Sequence, residues 1–154
     1  MIDKIKKFNS CSPLEKWALA HAVFLLPLVN VSLILRGFKR TYKTLSNLAP
    51  LKSKASGGAR PAENMIDQGQ ALARAVEIAG HVLPFEIKCL PISMVTHLLL
   101  RRRGIPGDLR IGVKRFKDDL EAHAWVELAG HPLRQRDDQK DQFLPFSTPI
   151  TPTT

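Results

Sequence analysis

Two residues of this chain could together form a sulfur nucleophile: Cys89 in the segment KCLPISM and His123 in the segment AHAWVEL. The pattern that follows Cys89 is helical, so its thiol is predicted to lie at the start of a helix. The positive end of a helix dipole stabilises a thiolate, and a nearby histidine can hold that thiolate as an ion pair. The two residues therefore predict nucleophilic catalysis of the kind that cysteine peptidases perform.

The helix that begins at Cys89 is predicted to run to about Arg103. Pro91 lies in its first turn, where a missing N–H group is tolerated, and Gly104 is expected to end it. A stripe of apolar residues should face the core: Met94, Leu98 and Leu99.

The segment after this helix predicts the strand that carries the histidine. DLRIGVKRF alternates apolar Leu109, Ile111 and Val113 with residues of the opposite face, which is typical of a half-buried strand. EAHAWVEL, which contains His123, predicts a second strand. Residues 129–130 then predict a tight connection and HPLRQR a third strand. The predicted order is therefore a helix that begins at Cys89, a strand, and a second strand that contains His123.

Residues 1–50 predict an N-terminal helical segment. Ser12, Pro13 and Glu15 form a helix start with a capping box. Residues 17–35 are almost wholly apolar, and Pro27 within them is expected to break or kink the helix into two shorter pieces. Because a membrane span needs about 20 apolar residues, residues 17–35 are borderline. Buried or partner-covered helices are favoured over a membrane span or a helix at a membrane surface.

Composition shifts divide the rest of the chain. Residues 51–62 are rich in Gly, Ser and Pro and predict a flexible linker. A helix is expected over about 63–79, ended by Gly80, within a domain at 63–145. Its apolar positions are Met65, Leu72, Val76 and Ala79, with Ile66 and Ala73 at the edge. Residues 146–154 predict a disordered tail.

The net charge and the cysteine content limit the classes of partner and of cofactor that are expected. The net charge of +9 suits an anionic partner, but the basic clusters lack the interleaved aromatics of a single-strand nucleic-acid binder, so no nucleic acid is expected. The two cysteines, Cys11 and Cys89, make no disulfide framework, and no metal-binding spacing is present. A reducing, cytoplasmic location is expected, with contact between residues 17–35 and a membrane surface as an open alternative.

The segments KCLPISMVTHLLLRRRGIPGDLRIGV and AHAWVELAGHPL closely resemble the leader peptidase of lasso-peptide biosynthesis. That enzyme is a stand-alone protein or the C-terminal half of a fused B protein. The resemblance covers about residues 65–145. It implies an α+β, transglutaminase-like (papain-like) cysteine peptidase fold. In that fold the catalytic cysteine lies at a helix N-terminus packed on a small antiparallel sheet, and N-terminal helices precede the domain.

The resemblance also implies a substrate and partners. The enzyme would remove the leader from a ribosomally made precursor peptide before macrocyclisation. A small leader-recognition protein and an asparagine-synthetase-like lasso cyclase would accompany it. ATP would be used by that cyclase, and no cofactor is expected in this chain.

The resemblance assigns catalytic roles to Cys89 as nucleophile and His123 as acid and base. The family's third catalytic residue is an Asp, five residues after the glycine that matches Gly130, but position 135 here is Gln. Asp137 is the first choice to orient His123 if the third strand contains a small bulge, and Gln135 is the alternative. A third option is that the catalytic triad is impaired and the protein acts slowly.

Trp125 shares the strand face of His123, so it is predicted either to form a wall that contacts substrate or to pack in the core. His97 is expected to be a surface or structural histidine rather than a catalyst. Two other functions stay open: acyl transfer by the same fold, as in transglutamination, and a non-catalytic basic scaffold or binding protein.

Overall fold

The computed structural model describes residues 12–49, 62–116, 119–134 and 144–145. These ranges contain three helices: α1 (Pro13–Leu48), α2 (Ala62–Val82) and α3 (Cys89–Arg102). They also contain four strands: β1 (Asp108–Phe116), β2 (Asp119–Leu128), β3 (His131–Pro132) and β4 (Leu144–Pro145).

Helix α3 is the centre of the fold. Every residue from 93 to 100 is buried, because α1 and α2 pack on it from one side and strands β1 and β2 from the other. The helix begins at Cys89 and ends one residue before Arg103, and Gly104 follows with a left-handed φ of 70°. The predicted bounds of this helix are confirmed. Its buried surface is wider than the predicted stripe of Met94, Leu98 and Leu99, since a central helix is covered on nearly all sides.

Helix α1 starts as predicted. The backbone N–H of Glu15 donates to Ser12 Oγ over 3.2 Å, and the N–H of Ser12 donates to Glu15 Oε2 over 2.8 Å. These two bonds form the predicted capping box.

The predicted break at Pro27 is wrong, because α1 continues through it to Leu48. A proline inside a helix costs about 3 kcal/mol or more. Burial of Leu26 and Val29 on either side of it against the core offsets that cost. The non-helical residue lies instead at Gly37, whose φ of 74° is accessible to glycine without strain. Helix α1 therefore consists of two stretches that meet at Gly37.

The C-terminal stretch of α1 is tied to α3. Arg101 Nε, in the last turn of α3, donates a 2.8 Å hydrogen bond to the backbone carbonyl of Ala49. Across the bend, the hydroxyls of Ser32 and Thr41 lie 2.9 Å apart, and Thr41 Oγ1 donates to the carbonyl of Gly37 over 2.8 Å. These polar contacts fix the direction in which the chain leaves the bend.

Helix α2 runs past its predicted end. It was expected to stop at Gly80, but it continues to Val82. A Cβ at position 80 would lie 3.4 Å from Ile92 Cδ1, so Gly80 brings α2 close to α3 rather than ending the helix. The predicted core positions Leu72, Val76 and Ala79 are buried, as is the edge residue Ala73. Met65 and Ile66 are half-buried.

The four strands form one antiparallel sheet in the order β3-β2-β1-β4. Strand β1 pairs with β2 along its whole length, with Gly112 opposite His123. Ala129 and Gly130 connect β2 to β3 with φ values of 51° and 78°, as two-residue hairpin turns require. The predictions of β1, β2 and the tight turn are confirmed. The third predicted strand, HPLRQR, is a strand only at its first two residues, and its last two, 135–136, lie outside the described residues.

The arrangement of helices packed on a small antiparallel sheet confirms the α+β prediction. The predicted tail at 146–154 and residues 51–61 of the predicted linker lie outside the described residues, and the last residue of that linker, Ala62, begins α2. The core is shared between α1, α2, α3 and the sheet, so the described part of the N-terminal segment packs with the rest.

Candidate active site

Cys89 and His123 line the same cleft. This cleft has a volume of about 270 Å³ and lies between the N-terminal end of α3, one face of α2 and strand β2. Its walls are formed by Ala73, Glu77, His81, Cys89, Ile92, Ser93, Thr96, His123, Ala124, Trp125, Val126, Leu133 and Arg134. The two residues that the sequence paired are thus brought to one site.

Cys89 is the first residue of α3 and is half-buried. Among the described residues, no side chain caps this helix terminus, and the first turn, Cys-Leu-Pro-Ile, contains no carboxylate. The positive end of the helix dipole is therefore left without a neutralising side chain beside the sulfur. The backbone N–H groups at a helix start have no partner inside the helix, so they are free to bind an anionic oxygen.

His123 lies on β2, the strand between β1 and β3. Burial lowers the pKa of the His123 imidazole; the Glu121 carboxylate acts in the opposite direction, and the Lys114 ammonium lowers the pKa further. Lys114 and Glu121 form a 3.0 Å salt bridge between β1 and β2. The lowered pKa favours the neutral imidazole, which is the form that a general base needs.

Ser93 joins the cysteine helix to the histidine strand. Its buried hydroxyl donates a 2.8 Å hydrogen bond to the backbone carbonyl of Ala124. Ser93 lies one helical turn after Cys89, and Ala124 directly follows His123, so this bond fixes the separation of the two elements next to the reactive groups. Sequence reasoning missed Ser93, although a serine one turn after the nucleophile, inside an apolar helix, was a signal.

Trp125 forms a wall of the cleft and is also buried, with 7% of its surface exposed. Its ring stacks on that of His123 at a centroid distance of 5.9 Å and an interplanar angle of 17°. Trp125 Nε1 donates to Glu127 Oε1 over 2.9 Å, and Arg110 Nε donates to Glu127 Oε2 over 3.0 Å. The Arg110–Glu127 pair therefore holds the indole ring against the imidazole. Trp125 is thus buried and also lines the cleft, and its contact with substrate stays a prediction.

The opposite wall contains charged residues that sequence reasoning missed. Glu77 and His81, one turn apart on α2, line the cleft together with Arg134. Arg134 Nε donates to Glu77 Oε2 over 3.0 Å, and the Arg134 backbone N–H donates to Gln70 Oε1 over 3.1 Å. The four-residue spacing of Ala73, Glu77 and His81 marked one helix face, but nothing local pointed to Arg134 as its partner.

The candidates for the third catalytic residue, Asp137 and Gln135, lie outside the described residues. Arg134, which immediately precedes them, lines the cleft and is held by α2. Its φ of 59° is left-handed, a conformation that non-glycine residues seldom adopt. The contacts with Gln70 and Glu77 thus hold Arg134 in place beside the cleft.

His97 lies on α3 outside this cleft, as a structural residue would. It is buried, its ring stacks on Tyr42 at 5.7 Å, and it forms a hydrogen bond with the backbone of Gly107. Burial, together with the neighbouring Arg101 guanidinium, lowers the pKa of His97 to about 4. The structural reading of His97 is confirmed, and a surface position is excluded.

Within the described ranges, no group of three or more His, Cys, Asp or Glu side chains is arranged to hold a metal ion. The described groups of the cleft that could take part in a reaction are a thiol, an imidazole, the amides at the start of α3 and the polar side chains of α2.

The sequence as a whole was compared with known proteins. The family model described as "Transglutaminase-like superfamily" matches residues 32–148, a range that includes Cys89, His123 and both candidates for the third residue. None of the curated proteins or solved structures with which the chain was compared matches it. Members of this superfamily are usually catalytic, as cysteine peptidases or acyl transferases. The chain belongs to the transglutaminase-like superfamily.

Proposed function

We propose that this transglutaminase-like protein is a cysteine peptidase that removes the leader from a ribosomally made lasso-peptide precursor. The observation that carries the proposal is the shared cleft, in which Cys89 at an uncapped helix N-terminus and His123 on β2 face the same space. A thiol at a helix N-terminus and an imidazole that lines the same cleft are the groups that covalent peptide cleavage uses as nucleophile and base.

The reaction would proceed in two balanced steps. In the first, the Cys89 sulfur adds to the carbonyl carbon at the leader–core junction while His123 takes up the thiol proton. His123 then returns that proton to the nitrogen of the leaving amine, and a thioester with the leader remains. In the second step His123 deprotonates a water molecule, which attacks the thioester and releases the leader carboxylate and the free thiol.

The negative oxygen that forms in both steps needs hydrogen-bond donors. The backbone N–H of Cys89, as the first residue of α3, is one such donor. Removing a single donor of this kind typically costs about 10² to 10³ in rate. The absence of a carboxylate from the first turn of α3 keeps this end of the helix positive.

The precursor assignment rests on the combination of CLP, LLRRRGI and AHAWVE segments, which resembles the lasso-peptide leader peptidases. The same resemblance supports a leader-recognition protein and an ATP-using, asparagine-synthetase-like cyclase as partners. The enzyme itself would need no cofactor and would work in a reducing cytoplasm, where the thiol of Cys89 stays free.

Acyl transfer is a second candidate because membership of the superfamily is compatible with it. Both reactions pass through the same thioester, and they differ only in the group that attacks it. Water gives hydrolysis, and an amine gives a new amide bond. The mass of the leader product distinguishes them directly.

The test is a mass-spectrometric cleavage assay of the precursor peptide with the full-length protein and the leader-recognition protein under reducing conditions. The wild type should cut one junction, and Cys89→Ala should cut none. Cys11→Ala is the matched control, since it removes the other cysteine of the chain and should cleave at the wild-type rate. A leader fragment that carries an added amine instead of water would assign acyl transfer.

Intact precursor with folded wild type, with the cyclase also added, would contradict the peptidase and favour a non-catalytic basic scaffold. Equal cleavage by wild type and Cys89→Ala would remove Cys89 from the chemistry. Circular dichroism of each variant shows that a loss of cleavage is not a loss of folding.

A further inference from the structure

Helix α1 exposes a continuous apolar stripe. Its first stretch, before Gly37, leaves five large apolar side chains 51–77% exposed: Phe24, Leu28, Val31, Ile34 and Leu35. Residues 24, 28, 31 and 35 follow a spacing of four, three and four, so they lie on one face over three turns. Exposed apolar surface of this extent is a usual mark of an interaction site.

The opposite face of the same stretch belongs to the core. Ala18, Ala22, Leu26 and Val29 are buried against the rest of the domain. Among the described residues, α1 is the one helix long and apolar enough to cross a membrane. Because one side of α1 is packed against the rest of the domain, only its outer face can contact lipid. The helix is therefore placed to lie along a surface rather than to cross one.

Charge is absent along the stripe and concentrated at its ends. The sequence has no charged residue from position 17 to position 35. At one end the Arg103 guanidinium lies 4.6 Å from the ring centre of Trp17, one heptad before Phe24. At the other end a group of exposed cations follows: Arg36, Lys39, Arg40 and Lys43.

We propose that the outer face of α1 rests on an anionic lipid surface. The exposed side chains would enter the boundary between headgroups and acyl chains, and the cations at both ends would contact lipid phosphates. An indole paired with an arginine at one end fits the headgroup level of a bilayer. This proposal stands on α1 alone and does not depend on the chemistry of the cleft.

Two features favour lipid over a protein helix. A seam between two helices is usually bordered by charged side chains that fix the partner and its register. Residues 17–35 contain none. The net charge of +9 opposes the approach of a second copy of this chain, whereas an anionic bilayer would attract it.

The test is flotation of the full-length protein with vesicles of phosphatidylcholine alone and of phosphatidylcholine with phosphatidylglycerol in equal parts. The wild type should float with the anionic vesicles. The double variant Phe24→Gln, Leu28→Gln should bind them at least about tenfold more weakly, because each substitution removes buried apolar area. Leu120→Gln is the matched control, since Leu120 is 74% exposed on β2, and this variant should bind as the wild type does.

A second set of variants tests the cations. Replacing Arg36, Lys39 and Arg40 by Gln should weaken binding to the anionic vesicles by about fivefold per charge removed. It should leave any weak binding to neutral vesicles unchanged. Added salt should reduce wild-type binding in the same direction.

Three outcomes would overturn the proposal: no flotation of the folded wild type, equal flotation by the wild type and the Phe24 and Leu28 variant, and equal binding to neutral and anionic vesicles. Light scattering adds a fourth outcome. A dimer that forms without lipid and disappears in the same double variant would assign the stripe to a second copy of the chain.

Discussion

The two ends of helix α3 carry opposite kinds of polar chemistry. At its N-terminal end Cys89 is half-buried and opens onto a cleft that it shares with His123. Toward its C-terminal end His97 is buried against Tyr42 and the backbone of Gly107. One end can meet a substrate, and the other is packed inside the protein.

The difference shows that burial and neighbours, rather than residue type, decide what a histidine does. Desolvation lowers the pKa of both rings. Beside His123 the Glu121 carboxylate opposes that effect, and the ring borders a cleft that a peptide can enter. Beside His97 the Arg101 guanidinium adds to it, and the hydrogen bond with the backbone of Gly107 opposes it only in part. His97 is therefore kept neutral in the folded protein. At His123 the Glu121 carboxylate offsets part of the loss of proton affinity that burial causes.

The first prediction tests the difference between the two histidines by substituting each of them in turn. His123→Gln should lower the rate of leader cleavage about a thousandfold, because it removes the group that moves the thiol proton. His97→Gln should leave the rate within a few-fold of the wild type while lowering the melting temperature. Cleavage kinetics and thermal unfolding of both variants check this. A loss of activity in folded His97→Gln that equals the loss in His123→Gln would show that the two ends of α3 are not separate.

The second prediction concerns the pH dependence of stability at the buried end. With a pKa of about 4 in the folded state against an ordinary value of 6.5, His97 binds its proton more weakly when the protein is folded. Stability should therefore be full above about pH 6.5 and fall as the pH drops toward about 4, with no further loss from His97 below that. The total loss in the free energy of unfolding from His97 would be about 3 kcal/mol. Urea unfolding should show a shallower loss over this window for His97→Gln than for the wild type, and parallel curves would contradict the assignment.

The elements around the cleft were predictable because their signals are local. Pro91 and Gly104 mark the two ends of α3, and the alternation of Leu109, Ile111 and Val113 marks β1. Cys89 and His123 were found as candidates because a thiol at a helix start and an imidazole on the next strand pair are recognisable before any distance is known. The match of a transglutaminase-like family model over residues 32–148 supports the predicted fold, and the catalytic roles of Cys89 and His123 stay predictions.

The remaining features depend on contacts between distant parts of the chain. The continuity of α1 through Pro27 follows from the packing of its buried face, which no local preference encodes. The Arg134–Glu77 pair joins residues far apart in sequence. The burial of His97 likewise depends on Tyr42 of α1. Local patterns set where elements begin and end, whereas tertiary contacts set which polar side chains are hidden.

The third prediction concerns the residue that orients His123 beside the N-terminal end of α3. Asp137→Ala should lower leader cleavage by about tenfold or more, as loss of the group that orients a catalytic histidine usually does. Gln135→Ala is the matched comparison, since it removes the alternative residue from the same segment. A loss confined to Gln135→Ala would assign the role to the amide. Rates equal to the wild type for both single variants and for the double variant would remove this segment from the catalytic group.

The smallest predicted effect is electrostatic and lies on the strands beside His123. Glu121 raises the pKa of that imidazole and Lys114 lowers it, against the larger effect of burial. Because the neutral ring must accept the thiol proton, the acid limb of kcat/KM should follow this pKa. Glu121→Gln should therefore move the limb to lower pH, and Lys114→Gln should move it to higher pH. Since Glu121 is an exposed residue, both displacements should be a fraction of a pH unit and should shrink as salt is added. Profiles that move in the same direction, or that stay fixed at low ionic strength, would show that His123 does not act as the base of the reaction.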